Sequence, residues 1–261
     1  MVFDFELPED APKELRDDPA GVLRELAERD SAQPERRCAC DVYAETLAEI
    51  GQLLWVTGSL LGPDRPEGTS PFGFGDDDIV GLATVCQIGA ELARGAIDLL
   101  EDGNVYASQA LVRQLVEVEY LALAFAKEDS IAREWIRADR PDRLNFWSPT
   151  ELRKRSDGAF LRGDYWAHCE RGGHPTPVAL QLLPDHDQSP VVFEWVDLSG
   201  HLFSLWSSVA TAILVRKDRL PEEATASFDR VAEAQSQWLE ADEMTMVVRA
   251  MHQFGRRGPT D

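Results

Sequence analysis

The sequence predicts an all-α protein, a bundle of about six to eight helices. Residues 106–127 contain no Gly or Pro and are apolar around most of a helical circumference. A helix of this kind belongs in the middle of a bundle. Further long amphipathic segments precede and follow it, and Gly- or Pro-rich stretches separate them. No series of strand-like segments competes with this interpretation, since only residues 191–193 look β-like.

The first half of the chain is predicted to hold two long helices before the central one. They cover residues 35–61 and 79–101. A long loop, residues 62–75, follows the first of them. Acidic residues 76–78 then cap the second helix, where they complement the positive end of the helix dipole. The short connection Asp102-Gly103-Asn104 makes that helix and the central one antiparallel neighbours.

The second half of the chain is predicted to hold short helices and then two long ones. Ser130 is the expected cap of the first short helix. Ser148, Pro149 and Glu151 form a helix start, with Ser at the cap and Pro in the first turn. A second long loop, residues 175–190, precedes the penultimate helix. The helices after the central one are expected at residues 131–138, from 149, at 165–170, at 197–217 and at 221–240.

One domain accounts for most of the 261 residues. We expect an N-terminal extension with a short helix over residues 1–34 and the helical bundle over residues 35–254. A frayed tail is expected over residues 255–261, since chain ends are usually poorly held.

Charge and composition narrow the classes of function. The chain has 26 basic and 47 acidic residues and a net charge of −21, which argues against a broad nucleic-acid or anionic-membrane surface. The N-terminus lacks a signal-peptide pattern, and no apolar run reaches the roughly 18 residues of a membrane span. Four cysteines without a disulfide-framework spacing indicate reduced thiols. We therefore expect a cytoplasmic protein without a membrane partner.

A polar stripe on the central helix is the first candidate site. Its members are Gln109, Arg113, Glu117 and Tyr120. Spacings of 4, 4 and 3 residues place them on one face of the helix. One interpretation is a solvent-facing strip whose Arg–Glu pair contributes about 0.2–0.5 kcal/mol. The other is a cleft-lining Arg113–Glu117 pair that orients a ligand, because a buried ion pair is a poor source of stability.

Residues 133–171 form the region where an anionic partner could dock. They hold nine Lys or Arg against seven Asp or Glu, about +2, while the remainder of the chain is about −23. The aromatic residues here either stack on nucleobases or belong to the core. Tyr165 and Arg171 are the binding candidates in this segment, and Tyr120 is the binding candidate on the stripe.

His168 and His174 are the candidates for proton transfer, because imidazole titrates near neutral pH. His174 follows a Gly-Gly pair on a turn, where it either serves function or fixes the turn by bonding a backbone carbonyl. His201 falls in an apolar helix and is expected to be a core residue. Cys38 and Cys40 point apart on a helix and have no matching second pair, so we assign no metal and no cofactor.

Two segments resemble a bacterial helical family, domain of unknown function 5677. Residues 111–124, LVRQLVEVEYLALA, resemble the Arg-x-x-x-Glu helix of that family. Residues 164–177, DYWAHCERGGHPTP, resemble its second motif, which carries a histidine before Pro or Gly. The resemblance covers roughly residues 80–180. The functional set that it implies is Arg113, Glu117, Tyr165 and His174.

More distantly, the bundle is similar to the HEPN-like domains of toxin–antitoxin and phage-defence systems. Many of those domains are metal-independent ribonucleases with four to six residues between an arginine and a histidine. Arg162 and His168 have this spacing. The similarity implies that the histidine acts as acid or base on the 2′-hydroxyl and that the arginine stabilises the phosphorane charge.

Two functions therefore stay open. The first is an interaction module, associated with defence or stress, that acts through a protein partner or as a homodimer. The alternative is a HEPN-like ribonuclease that pairs Arg162 or Arg113 with His168 or His174. The net charge of −21 counts against RNA unless a dimer assembles a local basic cleft.

Overall fold

A computed structural model describes residues 32–60, 75–160, 162–183 and 191–242, together with single positions before residue 32. Regular structure in these ranges is helical throughout and includes no strand, so the predicted all-α class is confirmed. Most of the predicted extension, the tail and the loop of residues 62–75 lie outside the described residues. The domain boundaries at residues 34 and 254 stay predictions.

Nine α-helices lie in the described ranges, and the longest four build the bundle. They are α1 (Gln33–Leu60), α2 (Asp77–Glu101), α3 (Val105–Lys127), α4 (Ile131–Arg137), α5 (Arg140–Phe146), α6 (Pro149–Arg155), α7 (Arg162–His168), α8 (Val192–Val215) and α9 (Phe228–Ala241). A π-helical turn, Cys169–Gly173, continues α7. Shorter 3-10 turns lie at Pro177–Leu182, Lys217–Arg219 and Glu222–Thr225.

The central helix of the sequence prediction is α3, and it packs against both α2 and α8. Its Leu115, Val116 and Phe125 are fully buried. Each such side chain contributes about 1.5–3 kcal/mol through its burial. α1 packs along α2 and α8, and α9 packs on α1. The helix α3 is therefore apolar around most of its circumference because other helices cover it on more than one side, as the sequence predicts.

Several helix ends follow the predicted chemistry. The Asp76 carboxylate accepts a hydrogen bond of 3.0 Å from the Asp78 amide and caps α2. Pro149 occupies the first turn of α6. Gly103, in the short turn between α2 and α3, has a φ of +76°, a conformation in which glycine is least strained.

Other boundaries differ from the prediction. Ser130 precedes α4, but it has a left-handed φ of +73° and its side chain makes no capping hydrogen bond. The helix α5 is not among the helices predicted from the sequence, because Pro141 favours a break. Proline is also tolerated in a first turn, and the Asp139 carboxylate caps this helix by accepting from the Asp142 amide at 2.9 Å. α9 begins at Phe228, after a 3-10 turn, rather than at residue 221.

The helix α8 begins at Val192, five residues before the predicted start. The β-like run of residues 191–193 therefore opens a helix. By length and composition α8 could cross a membrane, with a mean hydropathy of 1.4, yet half of that apolar window is buried inside the protein. It is placed here as a core helix, and its Trp195, Leu198 and Leu205 are buried.

A buried set of ion pairs joins the start of α2 to the end of α8, and we call it the aspartate network. Its members are Asp76, Asp77, Asp78, Arg137, Arg216 and Arg219. Asp78 and Arg216 are both fully buried, and two hydrogen bonds of 2.7 and 3.0 Å join them. Arg216 also donates to the carbonyl oxygens of Phe125 and Ala212. The predicted cap is thus also the anchor of a second helix.

The guanidinium groups fix the charge of Asp78. Burial alone raises the pKa of this carboxyl, but hydrogen bonds and charges from Arg216 and Arg219 outweigh burial and hold the pKa below its ordinary value. A carboxylate with two cationic partners in a dry site is a structural anchor.

Candidate functional site

One face of α3 meets α7, the π-helical turn and α8, and polar side chains from all four elements converge there. Two glycines of the turn permit the close approach. A Cβ added to Gly172 would lie 2.3 Å from the backbone carbon of Gln109. A Cβ added to Gly173 would lie 2.6 Å from Cδ of Arg113. π-Helical segments are rare and occur often at functional sites.

The first cluster at this junction is the arginine triad, formed by Arg113, Glu117 and Tyr165. One Nη of Arg113 lies 2.7 Å from Oε1 of Glu117 and donates to the Tyr165 hydroxyl at 3.1 Å. That hydroxyl donates to the same Oε1 at 3.1 Å. The Arg113 and Glu117 side chains are 24% and 32% exposed, so the triad is partly buried at this junction.

The second cluster, which we call the histidine centre, combines Glu119, Asp164, His168, Asp197 and His201. The Nε2 atoms of His168 and His201 lie 3.0 Å apart. Nδ1 of His201 lies 2.8 Å from Oε2 of Glu119. The Oδ1 atom of Asp197 is 3.7 Å from both Nε2 atoms, and Oδ1 of Asp164 is 3.7 Å from Nε2 of His168.

Burial and neighbouring charges shift the pKa values of the two imidazoles in opposite directions. Burial lowers the pKa of His168, and the neighbouring His201 lowers it further. Burial also acts to lower the pKa of His201, but the hydrogen bond and charge of Glu119 outweigh it and raise the pKa to about 10. Burial alone raises the pKa of Asp197, yet the two histidines more than offset this effect and the pKa is lowered.

The polar groups of the histidine centre are not fully satisfied within the protein. Among the described residues, none hydrogen-bonds to the buried Nδ1 of His168 or to the buried Oε1 of Gln109. Gln109 uses its amide nitrogen instead, which lies 3.4 Å from Oδ2 of Asp197. Buried polar atoms without partners are uncommon in structural cores, so each calls for an explanation.

The residues offer a ligand set for a metal ion. Ligand atoms of Asp164, His168 and His201 all lie within 4.8 Å of one another. The side chains of Asp164 and Asp197 are 29% and 24% exposed, while His168 is buried. One side of the centre therefore faces solvent and the imidazole side does not.

The predicted site residues divide into three groups. Arg113, Glu117 and Tyr165 come together, and His168 lies in the adjacent cluster. Tyr120 is a buried packing residue whose ring lies 4.1 Å from that of Phe160.

The remaining predicted residues lie elsewhere. Arg171 forms an ion pair with the buried Glu194. Arg162 is exposed at the start of α7. His174 is exposed, and its backbone amide donates to the Cys169 carbonyl at 3.0 Å. Within the described ranges no hydrogen bond joins the His174 side chain to Arg113, Glu117 or Tyr165.

The sequence analysis missed Glu119, Asp164, Asp197 and His201. The sequence indicates a satisfied core residue at His201, and the ring does have a hydrogen-bond partner on each nitrogen, but these partners are the carboxylate of Glu119 and the second imidazole, His168. A signal was present: the pattern Asp-x-x-x-His occurs at residues 164–168 and again at 197–201. On a helix each pattern places a carboxylate and an imidazole on the same face.

Comparison with known proteins adds no further constraint. No protein family, curated protein or solved structure matches this chain. The resemblance to domain of unknown function 5677 and to HEPN-like domains therefore stays a prediction. The described cysteines are all free, with Cys38 exposed and Cys40 buried, as expected for residues that point apart on a helix.

Proposed function

We propose that the protein is an enzyme that cleaves phosphodiester bonds in single-stranded RNA, with the histidine centre as its catalytic centre. The observation that carries the proposal is the convergence of the buried imidazole of His168, the largely buried imidazole of His201 and three carboxylates from α3, α7 and α8. Groups of this kind activate a hydroxyl or a water molecule, either by direct proton transfer or through a bound cation.

Stability alone is a poor reason for such a cluster. Moving charged groups out of water costs several kcal/mol per ion, and a structural site repays this only with matched partners. Among the described residues no Arg or Lys forms an ion pair with Glu119, Asp164 or Asp197. Clustered titratable groups of this kind, with shifted pKa values and partial access to solvent, mark functional sites.

The surroundings of the centre favour a nucleic-acid strand as substrate. Trp166 lies on α7 between Asp164 and His168, and 51% of it is exposed. An exposed aromatic ring can stack on a nucleobase of any sequence. Exposed cations precede Trp166 in the chain, at Lys154, Arg155 and Arg162, and can hold the phosphate backbone. This local arrangement offsets the acidic character of the whole chain.

The resemblance to HEPN-like ribonucleases supports the same substrate. The predicted Arg162–His168 spacing spans the helix α7, which carries His168 into the centre. Arg162 itself is exposed. We therefore assign to Arg162 the binding of RNA phosphate, and to the partly buried Arg113 the orientation of the substrate beside the centre.

The test is cleavage of end-labelled single-stranded RNA, measured with added Zn²⁺ or Mn²⁺ and in parallel with EDTA. His168→Ala and His201→Ala are expected to lose roughly 100-fold or more in rate. Asp218→Asn, a change at an exposed carboxylate after α8, serves as the matched control with unchanged cleavage. Circular dichroism checks the fold of each variant. Loss of cleavage in His174→Ala but not in His168→Ala would contradict the assignment.

The substrate assignment has a test of its own. Trp166→Ala is expected to raise KM for RNA, because stacking on an aromatic ring contributes about 1–3 kcal/mol per base. Trp166→Phe keeps an aromatic face and should restore most of the affinity. Equal KM values for the two variants and the wild type would exclude stacking at this residue.

A second candidate function is an interaction module that acts through a protein partner. It is favoured by exposed apolar residues on the turn Pro177–Leu182 and next to it. These residues are Val178, Leu180 and Leu183. Exposed apolar side chains that cluster mark interaction sites. Absence of cleavage on all RNA substrates under both ionic conditions would leave this candidate in front.

A further inference from the structure

We propose that Asp164, His168, Asp197 and His201 bind a single divalent transition-metal ion. The site is the catalytic centre assigned above, and the inference rests on the proposed function only for the role of the ion. The binding itself is inferred from geometry, charge and ligand chemistry.

Two equivalent helical motifs supply the ligands. Asp164 and His168 are four residues apart on α7, and Asp197 and His201 are four residues apart on α8. Each pair therefore presents one oxygen and one nitrogen on a single helix face. The two faces meet, because Nε2 of His168 lies 3.0 Å from Nε2 of His201.

The separations suit a common ligand sphere. Metal–ligand bonds of about 2.0–2.2 Å place neighbouring ligand atoms of a tetrahedral zinc site roughly 3.3–3.5 Å apart. The two nitrogen atoms are 3.0 Å apart, and three of the nitrogen–oxygen separations are 3.7 Å. Ligand atoms of Asp164, His168 and His201 lie within 4.8 Å of one another, so small side-chain movements would bring these three onto one ion, and a larger movement of Asp197, whose Oδ1 is 3.7 Å from both nitrogens, would complete the set.

Two of the ligands, His201 and Asp197, are oriented by hydrogen-bond partners on the atoms that face away from the proposed ion. Glu119 engages Nδ1 of His201 at 2.8 Å, so Nε2 faces the centre, where a bound metal would take the place of its proton. Metal-bound histidines commonly have such a carboxylate partner. The Gln109 amide nitrogen lies 3.4 Å from Oδ2 of Asp197 and leaves Oδ1 on the imidazole side.

Charge favours a cation at this position. Glu119, Asp164 and Asp197 bring three carboxylates to the centre, and no described Arg or Lys forms an ion pair with any of them. Glu119 is already paired with His201, so the need for a cation rests with the partly buried Asp164 and Asp197, whose cationic neighbours within 4 Å are histidines. A divalent ion meets that need at the point where the four ligand atoms converge.

The donor set selects the class of ion. Imidazole nitrogen suits Zn²⁺, Cu²⁺, Fe²⁺ and Ni²⁺, whereas Mg²⁺ and Ca²⁺ prefer oxygen ligands alone. Two nitrogens and two oxygens therefore favour Zn²⁺ or a neighbouring first-row ion. Because both aspartates are partly exposed, a water molecule can reach the ion from the solvent side. Such an ion lowers the pKa of its bound water and can thereby provide the activated group of the reaction.

The experiment is a titration of the chelator-treated full chain with Co²⁺, followed by visible absorption, with Zn²⁺ as competitor. We expect roughly one Co²⁺ per chain, with the intense bands of low-coordinate cobalt, and displacement by Zn²⁺. Asp197→Asn and His201→Ala should abolish these bands. Glu119→Gln should weaken binding by roughly 10- to 100-fold, since it acts through His201.

Controls separate ligand loss from loss of fold. Asp218→Asn removes an exposed carboxylate and should bind Co²⁺ as the wild type does. Asp164→Asn changes a partly exposed residue and should fold normally while binding more weakly. Circular dichroism of each metal-free variant reports the fold. Wild-type protein without cobalt bands, or with bands that survive in His201→Ala, would overturn the proposal.

Failure of the metal site and failure of the proposed function are distinguishable. Cobalt binding without RNA cleavage would retain the metal site and discard the ribonuclease assignment. RNA cleavage that persists in EDTA and is lost in His168→Ala would retain the ribonuclease and overturn the role of the ion in cleavage, while the cobalt titration alone decides whether the ion binds.

Discussion

The aspartate network and the histidine centre are both buried and both charged, yet they are built in opposite ways. In the network, Asp78 contacts two guanidinium groups at 2.7 Å or less, and Arg216 also donates hydrogen bonds to backbone carbonyl oxygens. In the histidine centre, carboxylates outnumber cations, and Nδ1 of His168 has no partner among the described residues. We interpret the balanced charges of the network as a structural anchor and the unbalanced charges of the histidine centre as a binding site for a cation.

The largest expected effect breaks the network. Arg216→Ala removes the buried partner of Asp78 and should destabilise the protein by about 3–5 kcal/mol, because an uncompensated carboxylate stays in the interior. Urea unfolding monitored by circular dichroism measures this. The matched control is Arg230→Ala, which breaks an exposed ion pair with Glu49 and should cost about 1 kcal/mol or less. Equal costs for the two variants would refute the distinction.

The next effect displaces the histidine centre without changing its charges. In Gly172→Ala the new Cβ meets the backbone of Gln109 and Ala110, and such overpacking should cost about 1–3 kcal/mol. Cleavage and cobalt affinity should fall together, since the π-helical turn moves away from α3. Gly163→Ala on α7 is the control, because its Cβ meets nothing within 4 Å. That variant should gain roughly 0.5–1 kcal/mol of stability.

The third prediction concerns acid. The folded pKa of Asp78 lies below its ordinary value of 3.8, so the folded protein favours the charged form. Its contribution to stability is complete above 3.8 and is lost as the pH falls through the lower folded pKa. Urea midpoints measured in steps from about pH 6 to pH 2 should show this loss. Asp78→Asn, unstable at neutral pH, should lose less on acidification, and an identical pH dependence would contradict the account.

The smallest change in stability is expected for a substitution in the histidine centre. Asp164→Asn removes a partly exposed carboxylate that no Arg or Lys pairs with in the described structure. The free energy of unfolding should change by less than about 1 kcal/mol. Cobalt affinity and RNA cleavage should nevertheless fall. A large loss of stability would mean that Asp164 is an anchor like Asp78.

Much of the fold was accessible from the sequence because local chemistry determines it. The central helix is predictable because residues 106–127 contain no Gly or Pro. The cap at Asp76 is predictable because acidic residues favour the start of a helix. Boundaries failed where one residue has two local roles. Proline is compatible both with a break and with a first turn, and Pro141 occupies the first turn of α5 after α4 has ended at Arg137, while Ser130 precedes a helix in a left-handed conformation.

The candidate site was accessible only in part because it exists between elements. Arg113 and Glu117 share one helix, so their spacing predicts their contact. His201 lies 33 residues from His168 in sequence, and its apolar helical neighbours conceal the polar face that it shares with Asp197. His174 was favoured by its turn, but the backbone of that turn carries the interaction, through the amide that donates to Cys169.

The bond between Asp78 and Arg216 spans 138 residues of chain, and this bears on how the polypeptide can be divided. A break between α7 and α8 would leave a carboxylate on one piece and its guanidinium on the other. Both pieces would also lose half of the histidine pair. Neither piece should therefore hold its shape alone, and native structure is expected to return by complementation, only when the two polypeptides are mixed.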